Sequence, residues 1–169
     1  MICQKEDLVK IRKENKNKKI VVALGSFDLF HYEHLRYLSD AKKLGDILVV
    51  GVKNDKAVSI KDKFRPIINQ EWRTEIVDAL KCVDYTFLCK ENNQSNSLEL
   101  FENNESLLWW NLFTDLFENL NPDILYFEKN EKLQKVRIKA SKIYKFNLVS
   151  RERTEIISTS KIINKIKNN

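Results

Sequence analysis

The sequence predicts an α/β fold, a doubly wound five-stranded parallel sheet with helices on both faces. Three observations carry that expectation. Five short apolar runs lack the polar alternation of a one-sided strand, segments of helical periodicity separate them, and Gly25 closes the first run where a strand turns into a helix. Strands buried on both faces read as unbroken hydrophobic runs. Their alternation with helices implies right-handed crossovers, with any ligand at the carboxyl ends of the strands.

In chain order, Ile20–Leu24 is the first strand, rich in β-branched residues. From His31 to Leu44 the apolar residues Leu35, Leu38, Ala41 and Leu44 recur at helical spacing, and Gly45 is a natural C-terminal cap. Ile47–Val52 is the second strand. Asn69 caps a helix through Leu80, with Ile76, Val77 and Leu80 facing inward. Val83–Leu88 is the third strand. Residues 91–106 are polar and asparagine-rich and read as a surface loop. An apolar helix over 107–117 follows, whose Trp109, Trp110, Phe113 and Phe117 read as core, with one tryptophan more than a single face needs suggesting a subunit contact. Pro122 precedes the fourth strand, Ile124–Phe127. A basic helix covers roughly 131–143, Phe146–Val149 is the fifth strand, and a last helix begins after Ser158. Residues 1–19 form a helical N-terminal extension to what is otherwise a single domain over 1–169.

At 169 residues and a formal charge of +6, the chain suits one domain able to bury a substantial core. No apolar run approaches the ~18–20 residues of a membrane span, and the N-terminus lacks the apolar core of a secretory signal. Three cysteines without CxxC spacing argue against a disulfide framework or a structural zinc site. A cytoplasmic protein is expected. The charge is uneven, with 12 Lys/Arg against 3 Asp/Glu over residues 129–169. These lysines are spread without interleaved aromatics, so they read as solvated helix faces and nucleic acid is not the expected partner.

The chemistry concentrates in Gly25-Ser-Phe-Asp-Leu-Phe-His-Tyr-Glu-His34. A turn after the first strand delivers the chain's only two histidines, three residues apart, to the start of a helix. There they share one face with the helix N-terminus, a place suited to an anion. Competing motifs fail. His31-Tyr-Glu33 matches H-x-E but no P-C-x-x-C follows, and HExxH, the Walker loop and GxGxxG are all absent. A metal site lacks a third ligand beyond Glu33.

These residues resemble the HxGH-type nucleotidyltransferases, the cytidylyltransferase superfamily, over about 18–88 and 122–167. The resemblance rests on Gly25–Leu35, on Ala41–Asp55, on Arg65-Pro-Ile with Trp72–Tyr85, and on Arg153-Thr-Glu-Ile-Ile-Ser-Thr-Ser-Lys161, in that order. Its nearest branches are glycerol-3-phosphate cytidylyltransferase and the heptose-1-phosphate adenylyltransferase domain. It implies a Rossmann-like fold, a homodimer, and transfer of CMP or AMP from CTP or ATP to a phosphorylated sugar or polyol, with magnesium delivered by the nucleotide.

By that resemblance His31 and His34 hold the nucleotide phosphates, Lys61 or Lys63 reaches the triphosphate or acceptor, and Arg73 binds phosphate from its helix. Gly25, Ser26, Phe27 and Asp28 shape the nucleotide loop, with Asp28 orienting it and helping to place magnesium. Arg153 binds phosphate from the closing motif, while Ser158, Thr159 and Ser160 offer hydroxyl and N–H groups at the start of the last helix.

Three positions depart from the family pattern. Glu33 replaces the glycine between the histidines. Ile156 replaces a glycine before I-S-T, where a positive φ would strain a β-branched residue. Phe127-Glu-Lys-Asn130 replaces a segment containing glycine and aspartate. A Glu33 carboxylate facing a phosphate ~5 Å away would oppose binding by about 3 kcal/mol per unit charge at an effective dielectric near 20. Two readings follow: an active nucleotidyltransferase with a modified pocket, or a non-catalytic relative that binds a phosphorylated ligand or a protein partner.

Overall fold

The structure, a computed structural model, describes residues 1–60, 62–91, 104–152 and 156–168. The elements run β1 (Ile2–Cys3), α1 (Lys5–Glu14), β2 (Ile20–Gly25), α2 (Tyr32–Lys42), β3 (Ile47–Lys53), α3 (Asp55–Ser59), α4 (Gln70–Asp78), β4 (Tyr85–Cys89), α5 (Asn104–Leu120), β5 (Ile124–Glu128), a 3₁₀ turn (Glu131–Leu133), α6 (Gln134–Tyr144), β6 (Asn147–Arg151) and α7 (Thr159–Lys167). Every strand pair is parallel, and the order across the sheet is β1-β4-β3-β2-β5-β6. The α/β doubly wound fold is therefore present, with six strands where five are predicted. The sixth is the two-residue edge strand β1, too short to carry a period of its own.

The predicted N-terminal extension is built into this sheet. Ile2 and Cys3 pair with Thr86 and Phe87 of β4, while Leu8 and Ile11 of α1 are buried. Arg12 fastens α1 to the end of α5 by donating to the Leu120 and Asn121 carbonyls and to Asp123. The predicted loop over 91–106 lies mostly outside the described residues, and its last three positions already belong to α5.

Alternate residues of β2 feed two cores. Ile20 and Val22 join β3, α1, α5 and α6 on one face, whereas Val21 and Ala23 join α2 and Val77 of α4 on the other. Trp109, Phe113 and Phe117 lie in the first core. Trp110 packs its ring 6.1 Å from that of Tyr144, beneath the Lys139 ammonium, so the surplus aromatic is used within the chain.

Local expectations shift in three places. On α4, Val77 faces inward but Ile76 is exposed, and fully buried Arg73 takes the inner position instead. On α2, Leu38 and Ala41 are buried while Leu35 is exposed. Gly45 is not a left-handed cap, since no described glycine has positive φ. It is needed for space, because a Cβ there would lie 2.7 Å from the Lys19 carbonyl oxygen.

The strand order reverses between β2, which is followed leftward by β3, and β5, which is followed rightward by β6. In an open α/β sheet the crevice outside the carboxyl ends at such a switch binds the ligand. No helix is long and apolar enough to cross a membrane among the described residues.

Candidate active site

A cavity of about 610 Å³ opens at this switch point, within the range of small-molecule sites. Its first wall is the turn from β2 to α2. Phe27 and Leu29 take left-handed conformations (φ 54° and 45°), which throw the chain back across the strand end. The Phe27 ring folds over Gly25, where an added Cβ would stand 2.7 Å from it, so here glycine supplies room for the ring rather than a left-handed turn. Phe27 is buried and meets His34 edge-on at 5.5 Å.

Asp28 is fully buried and ties three segments together. Its carboxylate accepts from Arg65 Nε (3.0 Å) and from the Ile67 and Ile68 amides, while its carbonyl accepts from the Thr159 hydroxyl at 2.7 Å. Burial alone would raise its pKa, but the Ile68 and Ile67 amides and the Arg65 guanidinium outweigh it, leaving the carboxyl below its ordinary value.

His31 is the N-cap residue of α2, and its carbonyl accepts from the His34 and Leu35 amides. The two imidazoles stack with centroids 3.8 Å apart. Each has a buried Nδ1 without a hydrogen-bond partner among the described residues, an exception at a cavity wall, since buried polar atoms are ordinarily paired. Burial, reinforced by His31 and Arg65, pushes the His34 pKa down to about 3. Burial also lowers His31, partly opposed by Glu33 and Glu128. Both rings are therefore neutral at pH 7, each with one N–H donor.

The depressed His34 pKa links to stability. Its ordinary value is 6.5 and its folded value about 3, so between these the unfolded chain binds more protons. Above pH 6.5 nothing is lost; below it, stability falls by on the order of 1 kcal/mol per pH unit towards pH 3. Urea unfolding at pH 7.5 and 5.5 should show a steeper loss for wild type than for His34→Gln. Equal losses would contradict the assignment.

Glu33, which replaces the motif glycine, is buried and neutralised. Arg151 at the end of β6 donates to it at 3.0 Å, and Arg36 adds a 3.4 Å contact one helical turn on. Arg151 also pairs with Glu128 at 2.9 Å, lies 3.8 Å from Asp40, and stands over the Tyr37 ring. The carboxylate thus sits in a network rather than as a bare charge in the pocket. The second departure, Ile156, is exposed, next to residues 153–155 that lie outside the described ones. The third, Phe127–Asn130, forms the cavity wall after β5.

The structure brings Gly25, Ser26, Phe27, Asp28, His31 and His34 together with Ser158, Thr159 and Ser160 around one cavity. Two of the hydroxyls serve the fold. The Ser158 side chain caps α7 by accepting from the Lys161 amide, and the Thr159 hydroxyl is spent on Asp28.

Arg73 is not brought to the cavity. Its side chain is wholly buried and donates to the Ser26, Lys53 and Ile68 carbonyls and to Asp55. A polar helix position predicted to bind phosphate instead fastens two strand ends together. Arg73→Lys should destabilise the protein by about 1–3 kcal/mol in urea titrations, because an ammonium cannot reach all these acceptors and leaves buried carbonyls unpaired. A change below about 0.5 kcal/mol would contradict this role. Lys63 also lies away from the cavity, with its ammonium over the Phe64 ring. Lys61 and Arg153 lie outside the described residues.

Sequence reasoning did not single out Arg65, Lys132 or Arg137 as site residues, yet all three line the cavity. For Arg137 a signal existed: it shares the helical stripe of Leu133, Val136 and Ala140, all buried. It is also the lone arginine among the lysines of that helix.

The sequence profile of the cytidylyltransferase-like family matches residues 22–165. The bifunctional protein HldE of Campylobacter jejuni is 34% identical over 167 residues, which are 98% of this chain and 31% of that protein. The chain thus spans about a third of the length of that relative. The FAD synthase of Ferroglobus placidus is 35% identical over 157 residues, 88% of each chain. The lipopolysaccharide core biosynthesis protein from Thermoplasma volcanium superposes with a TM-score of 0.57 at 25% identity, covering 82% of this chain and 99% of that one. Pantoate-β-alanine ligase from Francisella tularensis, at 15% identity and a TM-score of 0.65 over 100% of this chain and 78% of its own, shares the fold. By its sequence and by its Rossmann-like sheet, the chain belongs to the cytidylyltransferase-like family of nucleotidyltransferases.

Proposed function

We propose that this chain transfers AMP or CMP from ATP or CTP to a phosphorylated sugar or polyol, releasing pyrophosphate. The observation that carries the reading is the stacked, neutral histidine pair with buried, unpartnered Nδ1 atoms at the switch-point cavity. An oxygen of the acceptor's phosphate attacks the α-phosphorus; that P–O bond forms as the bridge to the β-phosphate breaks, and the electron pair leaves with pyrophosphate. Such a displacement needs little covalent help from the protein, but it does need placement and compensation of negative charge.

Neutral imidazoles supply N–H donors to the phosphate oxygens without themselves taking a proton. The N-terminal turn of α7 brings a second set of amide dipoles to the same cavity. Arg153 and Lys61 are proposed to add positive charge from the closing motif and from the loop after α3. Magnesium would arrive with the triphosphate and be held chiefly by its oxygens, since the Asp28 carboxylate is already committed to three N–H donors. The relative named FAD synthase fits an adenylyl donor and a phosphorylated polyol acceptor, because FAD joins AMP to a ribityl phosphate. The non-catalytic alternative rests on Glu33, Ile156 and the Phe127–Asn130 segment together, and the Arg151–Glu33 pair weighs against the first of these.

The test is a pyrophosphate-release assay with ATP or CTP and magnesium, across a panel of sugar phosphates, glycerol phosphate and FMN. Release that requires both a nucleotide and one acceptor supports the reading. Binding of nucleotide without release for any pair would favour the non-catalytic alternative.

A further inference from the structure

Arg137 has a place in the cavity that the proposed histidine chemistry does not use. It projects from α6, is 7% exposed, and stacks its guanidinium carbon 4.3 Å from the centroid of the Phe127 ring. Its only hydrogen bond among the described residues is a long one, 3.3 Å, from Nη1 to the Glu128 carbonyl. No carboxylate pairs with it among the described residues. Arg73, Arg65 and Arg151, by contrast, each hold an aspartate or glutamate within 3.0 Å. Burial draws the Arg137 pKa down to about 10, opposed only in part by Tyr37. The group is still charged at neutral pH.

A buried guanidinium without a counter-ion is costly unless an anion completes it. The Phe127 face offsets part of that cost, but it cannot accept the remaining N–H donors. Those donors lie at the wall of a cavity that already suits phosphates. Lys132, on the turn that leads into the same helix, lines this wall too and has no ion-pair partner among the described residues. The wall follows β5, across the switch from the histidines after β2.

We propose that Arg137, with Lys132 lining the same cavity, is a phosphate-binding site that takes a phosphoryl oxyanion of the bound substrate. Its planar fork matches two oxygens of one phosphate, which an ammonium cannot do. The identity of that phosphate, in the nucleotide or in the acceptor, rests on the nucleotidyl-transfer reading; the existence of the site does not.

The experiment has two arms on the full chain. In the first, thermal melting is followed with inorganic pyrophosphate and with inorganic phosphate for wild type, Arg137→Met and Arg137→Lys. The site predicts that at least one anion stabilises wild type, with a smaller shift in Arg137→Lys and none in Arg137→Met. Equal shifts in all three proteins, or no shift in wild type with either anion, overturn it. The second arm measures KM for nucleotide and acceptor separately. Arg137→Lys, which keeps the charge and the fold, should raise one of them roughly ten-fold or more. A rise for nucleotide assigns the triphosphate, a rise for acceptor assigns its phosphate, and no rise in either overturns the proposal. If no substrate pair turns over while the anion shift still depends on Arg137, the transferase reading fails and this site stands.

Discussion

His34→Ala should lower kcat/KM for nucleotidyl transfer about 100- to 1000-fold, the range seen when one preorganised donor is removed from a developing oxyanion. Geometry rather than charge supports this expectation. His34 is held against Phe27, Phe30 and His31 by ring contacts at 5.5, 5.5 and 3.8 Å, so its imidazole enters the reaction already oriented. Its pKa near 3 means that it works as a neutral donor. The kcat/KM profile should therefore show no step near pH 6.5 beyond the one that the substrates' own phosphates contribute near pH 6, and His34→Gln should leave that profile unchanged in shape. His34→Gln, which retains an N–H donor, should recover part of the loss. Activity of His34→Ala within about three-fold of wild type would remove His34 from the mechanism.

Arg151→Met should be strongly destabilising, at about 3–5 kcal/mol, because it removes a close counter-ion of the buried Glu33 carboxylate. The side chain of Glu33 is 5% exposed, and the contact from Arg36, a half-exposed residue, is longer than that from Arg151. The reverse substitution is milder. Glu33→Gln leaves Arg151 with Glu128 and near Asp40, so about 1 kcal/mol is expected. The double variant should regain a substantial part of the Arg151→Met loss, a coupling that urea titrations of the four proteins would measure. Nucleotide affinity should follow the same logic. An unpaired Glu33 about 5 Å from a phosphate opposes it by about 3 kcal/mol, roughly two orders of magnitude in Kd. Additive losses with no coupling would show that Glu33 and Arg151 do not act as a unit.

That pair also marks where sequence reasoning stops. The strands Ile20–Gly25, Ile47–Lys53 and Ile124–Glu128 were legible because a parallel strand covered on both faces must be apolar throughout. The histidine turn was legible because a ligand-binding switch point concentrates unusual residues at a strand end. Glu33 was legible as a departure, but its partner lies 118 positions away, and nothing local says that the two side chains meet. Arg73 was misplaced for a similar reason. Its burial depends on carbonyls of Ser26, Lys53 and Ile68, which only the folded sheet brings together. Helical periodicity cannot distinguish a buried arginine so satisfied from a solvated one. The left-handed conformations at Phe27 and Leu29 fall on residues that rarely adopt them, so no residue type announced that turn. β1 and α3 are two and five residues long, too short for any period to register.

If the two histidines organise a nucleotide site in the cavity, a melting panel with ATP, CTP, GTP and UTP, each with magnesium, on wild type and His34→Ala will reveal it. A nucleotide at one hundred times its Kd adds about 2.7 kcal/mol, which for a chain of this length is roughly 5–10 °C. Such a shift is expected with ATP or CTP in wild type, and its loss in His34→Ala. No shift with any nucleotide at millimolar concentration, or an equal shift in both proteins, would contradict it.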